Sequence, residues 1–103
     1  MKITAKIIEI LPEQSGISRD SRPWRKANYI VEERQGTRAN TLLIQVWDGA
    51  DHRIDRLNLT LGNTYELFLD AEVSKYNDSV YNNIKCWGAN QVPDLLAAAE
   101  TQE

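Results

Sequence analysis

The sequence predicts an all-β domain, five strands curled into a barrel with one short helical element between strands three and four. Three observations carry this expectation. Apolar residues recur at every second position in several separate stretches of the chain, the period of a strand that buries one face. Gly, Pro, Asn and Asp punctuate the intervals between those stretches, as turns require. One segment alone changes to a spacing of three to four residues, the period of a helix.

Residues 2–11 place Ile3, Ala5 and Ile7 on one face and Thr4 and Lys6 on the other. The alternation then slips, so that Ile8 and Ile10 continue on the face that began polar, which a bulge or strong bend produces. Pro12 ends this strand, and residues 13–23 read as a polar loop broken by Gly16 and Pro23. Its length exceeds the 2–5 or so residues of a simple hairpin, which marks it as a candidate for function. Residues 24–33 resume a strand, and Gln35-Gly36-Thr37 is a turn. Residues 40–48 set Leu42, Ile44 and Val46 against Thr41, Leu43, Gln45 and Trp47, so both faces are partly apolar.

In residues 52–59 the period becomes helical, through Ile54 and Leu57, and Gly62-Asn63-Thr64 terminates that element. Tyr65, Leu67, Leu69, Ala71 and Val73 alternate through a fourth strand. Asn77-Asp78 carries the signal of a hairpin turn, and residues 80–87 return as the fifth strand. Residues 92–100 fit a frayed helix with Pro93 in its first turn. The expected core is Ile3, Ile7, Tyr29 or Ile30, Leu42, Ile44, Val46, Leu67, Leu69 and Ile84. Five strands with a helix between the third and fourth are the order of the OB-fold Greek-key barrel, expected over residues 1–90 with a partly helical or disordered tail over 91–103.

Length and composition restrict the function classes. A chain of 103 residues fits one domain, because two independent cores need more residues than each half offers. The first residues are too short and interrupted in their hydrophobicity for a signal sequence or a spanning helix, so a cytoplasmic, membrane-free location is expected. The single cysteine, Cys86, closes no internal disulfide and reads as a small buried hydrophobe. Net charge is −3, against a protein that coats nucleic acid indiscriminately. The charge is uneven, however. Residues 17–40 hold Arg19, Arg22, Arg25, Lys26, Arg34 and Arg38 against Asp20, Glu32 and Glu33, whereas residues 91–103 contain only acidic charges.

Three stretches, Ile7-Ile8-Glu9-Ile10-Leu11-Pro12-Glu13-Gln14-Ser15-Gly16, Pro23-Trp24-Arg25-Lys26 and Val46-Trp47-Asp48, resemble a bacterial family of small proteins of unknown function expected to be OB folds related to single-stranded DNA-binding proteins. The resemblance runs from about Met1 to Trp87. A looser similarity links Gly62 and Tyr81-Asn82-Asn83-Ile84 to the core of the single-stranded DNA-binding proteins themselves. Their acidic tail with a terminal aromatic has no counterpart in residues 97–103. Because the resembled family carries no assigned activity, the resemblance implies a fold and leaves the site to chemistry.

OB folds that read nucleic acid stack bases on rings of strands two and three and of the loops joining strands one to two and four to five, with cations for the phosphates. The candidate nucleic-acid-binding residues are Arg19, Arg22, Trp24, Arg25, Lys26, Trp47, Lys75, Tyr76 and Tyr81. Arg25, Lys26 and Lys75 are expected to line the groove, and Tyr76 and Tyr81 to form a cross-strand pair. Trp87, in a strand of alternating apolar residues, is expected in the core.

Catalysis has little support. The one histidine, His52, has no second histidine or cysteine at ligand spacing, and neither a phosphate loop nor a nucleophile elbow occurs. Asp48, Asp51 and Asp55 lack the spacing of a calcium loop and read as helix caps. No cofactor or metal is expected. Two readings stand: a module binding single-stranded nucleic acid, DNA first, by stacking and basic loop residues, or a protein-interaction and self-assembly module. The outward Leu43 and Trp47 and the pI near 5.1 favour the second, which makes a homo-oligomer a possible partner state.

Overall fold

The structure is a computed structural model and describes residues 1–48 and 52–93. Among the described residues are six strands and one helix: β1 (Lys2–Ile10), β2 (Gln14–Ile17), β3 (Pro23–Gln35), β4 (Arg38–Asp48), α1 (Arg53–Leu57), β5 (Thr64–Tyr76) and β6 (Ser79–Val92). All the strands belong to one sheet in the order β1-β5-β6-β4-β3-β2, and an additional β1–β3 pairing closes it into a ring. The pairs are antiparallel except β4 with β6, which meet in parallel at Gln45–Lys85.

Each bend has a local cause. The slip read at Ile7-Ile8 is a register shift between Ile7 and Glu9, and it lets β1 pair first with β5 and then with β3. The extra residue tightens the twist and turns an open sheet into a closed one. At the far side Asn77, with φ 48°, takes the left-handed conformation in the β5–β6 turn, one that asparagine tolerates better than most residues.

The core fills the ring. Ile7, Ile44, Leu67 and Leu69 are completely buried, alongside Val31, Val46, Tyr29, Tyr65 and Cys86. Each large aliphatic side chain so buried contributes about 1.5–3 kcal/mol. Ile3, Leu42 and Ile84, expected inside, pack on its edge. The helix α1 closes one end by inserting Ile54, and Leu59 follows it into the core. Tyr65 ties this closure to β5, for its hydroxyl accepts from the Thr60 N–H at 2.9 Å and donates to the Asn58 carbonyl at 3.3 Å.

Three expectations need correction. The region read as a polar loop contains β2, an edge strand hydrogen-bonded to β3, and the strand count is six instead of five. An edge strand with no buried large side chain leaves little periodic trace. The last strand continues past Trp87 to Val92, where it pairs with Thr64, so the sheet extends slightly beyond residue 90. Trp87 is not in the core: Cys86 beside it takes the inward position at 1% exposure, which leaves Trp87 on the outer side at 49% exposed. The helix expected at 92–100 begins on a strand residue, and its remainder beyond Pro93 lies outside the described residues.

Beyond the ring, β5 and β6 run on as a hairpin whose residues 70–82 are all exposed. No helix among the described residues is long and apolar enough to cross a membrane.

Candidate functional site

Alternation along β3 and β4 turns Ala27, Tyr29, Val31, Ile44 and Val46 inward, so Trp24, Lys26, Gln45 and Trp47 face outward. Lys26 lies directly across from Trp47. The Trp24 and Trp47 rings pack with centroids 5.6 Å apart at 44°, within the range of favourable tilted pairs. Trp24 lies flat against β2, because a Cβ built on Gly16 would meet its indole at 2.8 Å. The glycine is what lets the ring lie down.

Lys26 on β3 and Lys85 on β6 flank Trp47, with ammonium groups 5.1 and 5.7 Å from its ring centroid. Such cation–ring contacts hold both charges on the platform. Lys85 also pairs with Glu72 at 3.0 Å. A hydrogen-bond chain fixes the indole's orientation: Trp47 Nε1 donates to Gln45 Oε1 at 3.1 Å, Gln45 Nε2 to Asn83 Oδ1 at 3.5 Å, and Asn83 Nδ2 to Ser74 Oγ at 2.7 Å. The chain crosses β4, β6 and β5, and along β6 the same face continues to Tyr81.

The structure thus brings together Trp24, Lys26 and Trp47, and extends their face to Tyr81 and Tyr76. It separates the others. Arg25 occupies the inward parity of β3 at the end of the ring, where it meets Glu13 at 3.0 Å, Asp48 at 3.2 Å and Asp55 at 3.6 Å. The hydrogen bonds that Arg25 donates to the Glu13 carboxylate raise the guanidinium pKa further. Arg25 is therefore paired with carboxylates and does not share the outward face of Trp24, Lys26 and Trp47. Lys75 lies across from Val80, on the hairpin face opposite Tyr76 and Tyr81, and the β6 lysine beside Trp47 is Lys85. Tyr81 faces Ser74 and Tyr76 faces Ser79, so the tyrosines are diagonal neighbours and not a direct pair. Arg19 and Arg22 sit in an exposed turn between β2 and β3, closed by the Ser18 hydroxyl on Asp20 and on the Arg22 carbonyl, with Arg22 paired to Asp20 at 3.3 Å.

Sequence reading missed Gln45, Asn83 and Lys85. The parity of Lys85, opposite the buried Cys86, was legible; its neighbourhood with Trp47 comes from the parallel β4–β6 pairing, which no local signal announces. Asp48 caps α1, its Oδ1 accepting the Ile54 N–H at 3.1 Å. Asp48, His52 and Asp55 each bring a ligand atom to within 4.8 Å of the others, and Arg25 meets both carboxylates. Cys86 is buried, and burial pushes its thiol pKa up.

These features define a β-rich ring with an outward platform of aromatic rings, amides and lysines. The family described as Domain of unknown function (DUF3127) matches residues 2–90, and the chain belongs to that family. No curated protein and no solved structure matches it.

Proposed function

We propose that the protein is an OB-fold module, related to the single-stranded DNA-binding proteins, that binds single-stranded nucleic acid and catalyses no reaction. The ring order β1, β3, β4, β6, β5, the parallel β4–β6 contact and the helix between β4 and β5 support the OB assignment. In that fold the face of the second and third barrel strands and the loops beside it receive the ligand. Here those strands are β3 and β4.

The observation that carries the reading is the Trp24–Trp47 pair flanked by Lys26 and Lys85. Each ring able to stack a base is worth about 1–3 kcal/mol whatever the base, and the lysines meet phosphates. Gln45 and Asn83 offer amides to base edges. Tyr81 and Tyr76 on the hairpin extend the track. A chain of net charge −3 relies more on stacking than on charge, which predicts a shallow salt dependence. A lone buried thiol suits the reducing cytoplasm, where we place the protein.

Tryptophan fluorescence titrated with oligothymidine of about 20 nucleotides, longer than one OB site, at two salt concentrations tests this. Quenching that weakens modestly with salt is the expected result. Absence of binding by micromolar protein at low salt rejects the reading. The second reading, self-assembly, is favoured by Leu43, half-exposed across from Ile30 on the outer face. It predicts a concentration-dependent oligomer that Leu43→Asp dissolves.

A further inference from the structure

An open cleft lies between α1 and the bulged segment of β6. It has a volume of about 640 Å³ and is lined by Arg53, Arg56, Phe68, Trp87 and Asn90, with Gly88 and Ala89 beneath. Its floor is shaped by the second glycine that supports a ring: a Cβ on Gly88 would stand 3.2 Å from Phe68 Cδ2. Phe68 therefore lies close over the backbone, and Trp87 packs on it with centroids 5.1 Å apart at 32°. Nothing in the core requires Trp87, which is half-exposed.

Arg53 and Arg56 are three residues apart on α1, hence neighbours on one helical face, and both line the same cleft as the rings. Each already interacts within the protein, and five N–H donors per guanidinium leave capacity for an anion as well. The cleft combines an aromatic platform, two arginines and the side-chain amide of Asn90. An aromatic surface takes a planar ring, guanidiniums take phosphate oxygens in bidentate fashion, and an amide reads a ring edge or a hydroxyl. We propose that this cleft binds a phosphorylated nucleoside, stacked on Trp87 with its phosphate on Arg53 and Arg56. The cleft shares no lining residue with the Trp24–Trp47 platform, and the proposal does not depend on the reading given to that face. Its ligand comes either from free nucleotide or from the phosphorylated end of a strand.

The test follows the backbone and indole N–H resonances of the full chain while adenosine 5′-monophosphate, adenosine or 5′-phosphorylated oligothymidine is added. Saturable shifts of the Trp87 indole and the α1 amides with the monophosphate, with adenosine weaker by about tenfold or more for loss of the charged hydrogen bonds, support the site with a free nucleotide as source. Shifts with the phosphorylated strand and none with the monophosphate support it with a strand end as source. If neither ligand moves these signals, or only Trp24 and Trp47 respond, the proposal is overturned. Arg56→Glu, at an exposed position, should abolish the cleft response while the Leu67 and Leu69 methyl signals stay in place; an unchanged affinity in that variant also overturns it. The Trp24 and Trp47 resonances report the platform independently, so failure of one site is distinguishable from failure of the other.

Discussion

Replacing Gly16 by alanine disturbs the tryptophan platform without altering any of its side chains. Gly16 is not among the residues with positive φ, so alanine fits its backbone, and a strand position gains about 0.5–1 kcal/mol from losing glycine's conformational freedom. The new Cβ, however, stands 2.8, 2.9 and 3.0 Å from three atoms of the Trp24 indole. Ordinary carbon contacts lie near 3.5–4.0 Å, so the ring must retreat by roughly 0.7 Å or more. Overpacking of this kind costs about 1–3 kcal/mol, which exceeds the backbone gain and leaves a net loss near 1 kcal/mol. For a domain of this size that is a fall in Tm of about 4–8 °C, accompanied by a changed near-ultraviolet circular dichroism as Trp24 shifts against Trp47. Gly36→Ala is the matched control: φ is +63° there and nothing lies within 4 Å, so strain of about 1–2 kcal/mol lowers Tm while the aromatic signal stays unchanged. A Gly16→Ala protein that melts at or above the parent with an unaltered aromatic spectrum would refute the placement of the ring.

Within the proposed function, Trp24→Ala, Trp47→Ala and Tyr76→Ala should each weaken oligothymidine binding by about 1–3 kcal/mol. Lys26→Ala and Lys85→Ala should each lower the salt slope by about 0.7, whereas Arg25→Ala should leave it unchanged because carboxylates surround that residue; equal slopes for all three variants would contradict the assignment. Among the described residues the buried Thr64 hydroxyl has no hydrogen-bond partner, so Thr64→Val should hold or raise stability, by about 1 kcal/mol at most on relief of its desolvation; a lower urea midpoint counts against it. Burial raises the Cys86 thiol pKa above its unfolded value, so its contribution to stability is complete below the unfolded value and is lost as pH rises through the folded one. The alkaline fall in urea midpoint should begin in the ordinary thiol range, where the unfolded thiol ionises and the folded one does not, and be smaller in Cys86→Ala; a thiol reagent that labels the native protein as fast as the unfolded one would exclude a buried sulfur.

The bend in β1, the helical turn between β4 and β5 and the Asn77 hairpin were legible because each depends on neighbours in sequence. Most of the expected core was legible for the same reason, since period two alone sorts Ile44 and Val46 from Leu43 and Gln45. What local pattern cannot carry is partnership across the sheet. Arg25 and Lys26 are adjacent cations in sequence, yet strand parity sends one to Glu13 and Asp48 and the other to Trp47. Trp87 misled because its size and apolar neighbours suggested the core, whereas the parity set by Ile84 and the buried Cys86 sends it outward. Gly16 looked like loop punctuation, and its use as the bed of an indole depends on the β2–β3 register, which has no signature in composition.

The ring is fastened unevenly. Antiparallel ladders of many residues join most neighbours, but among the described residues β4 and β6 share a single registered pair, Gln45 with Lys85. That seam runs directly under the platform, and the Gln45–Asn83 hydrogen bond spans it at 3.5 Å. A ligand laid over Trp47 and Lys85 would act as a clasp across the least reinforced joint of the molecule. Its binding energy would then appear as resistance to opening, growing with ligand concentration as RT ln(1 + [L]/Kd) and concentrated in the amides of β4 and β6. The part of the ring that holds least by itself is the part that occupancy would strengthen most.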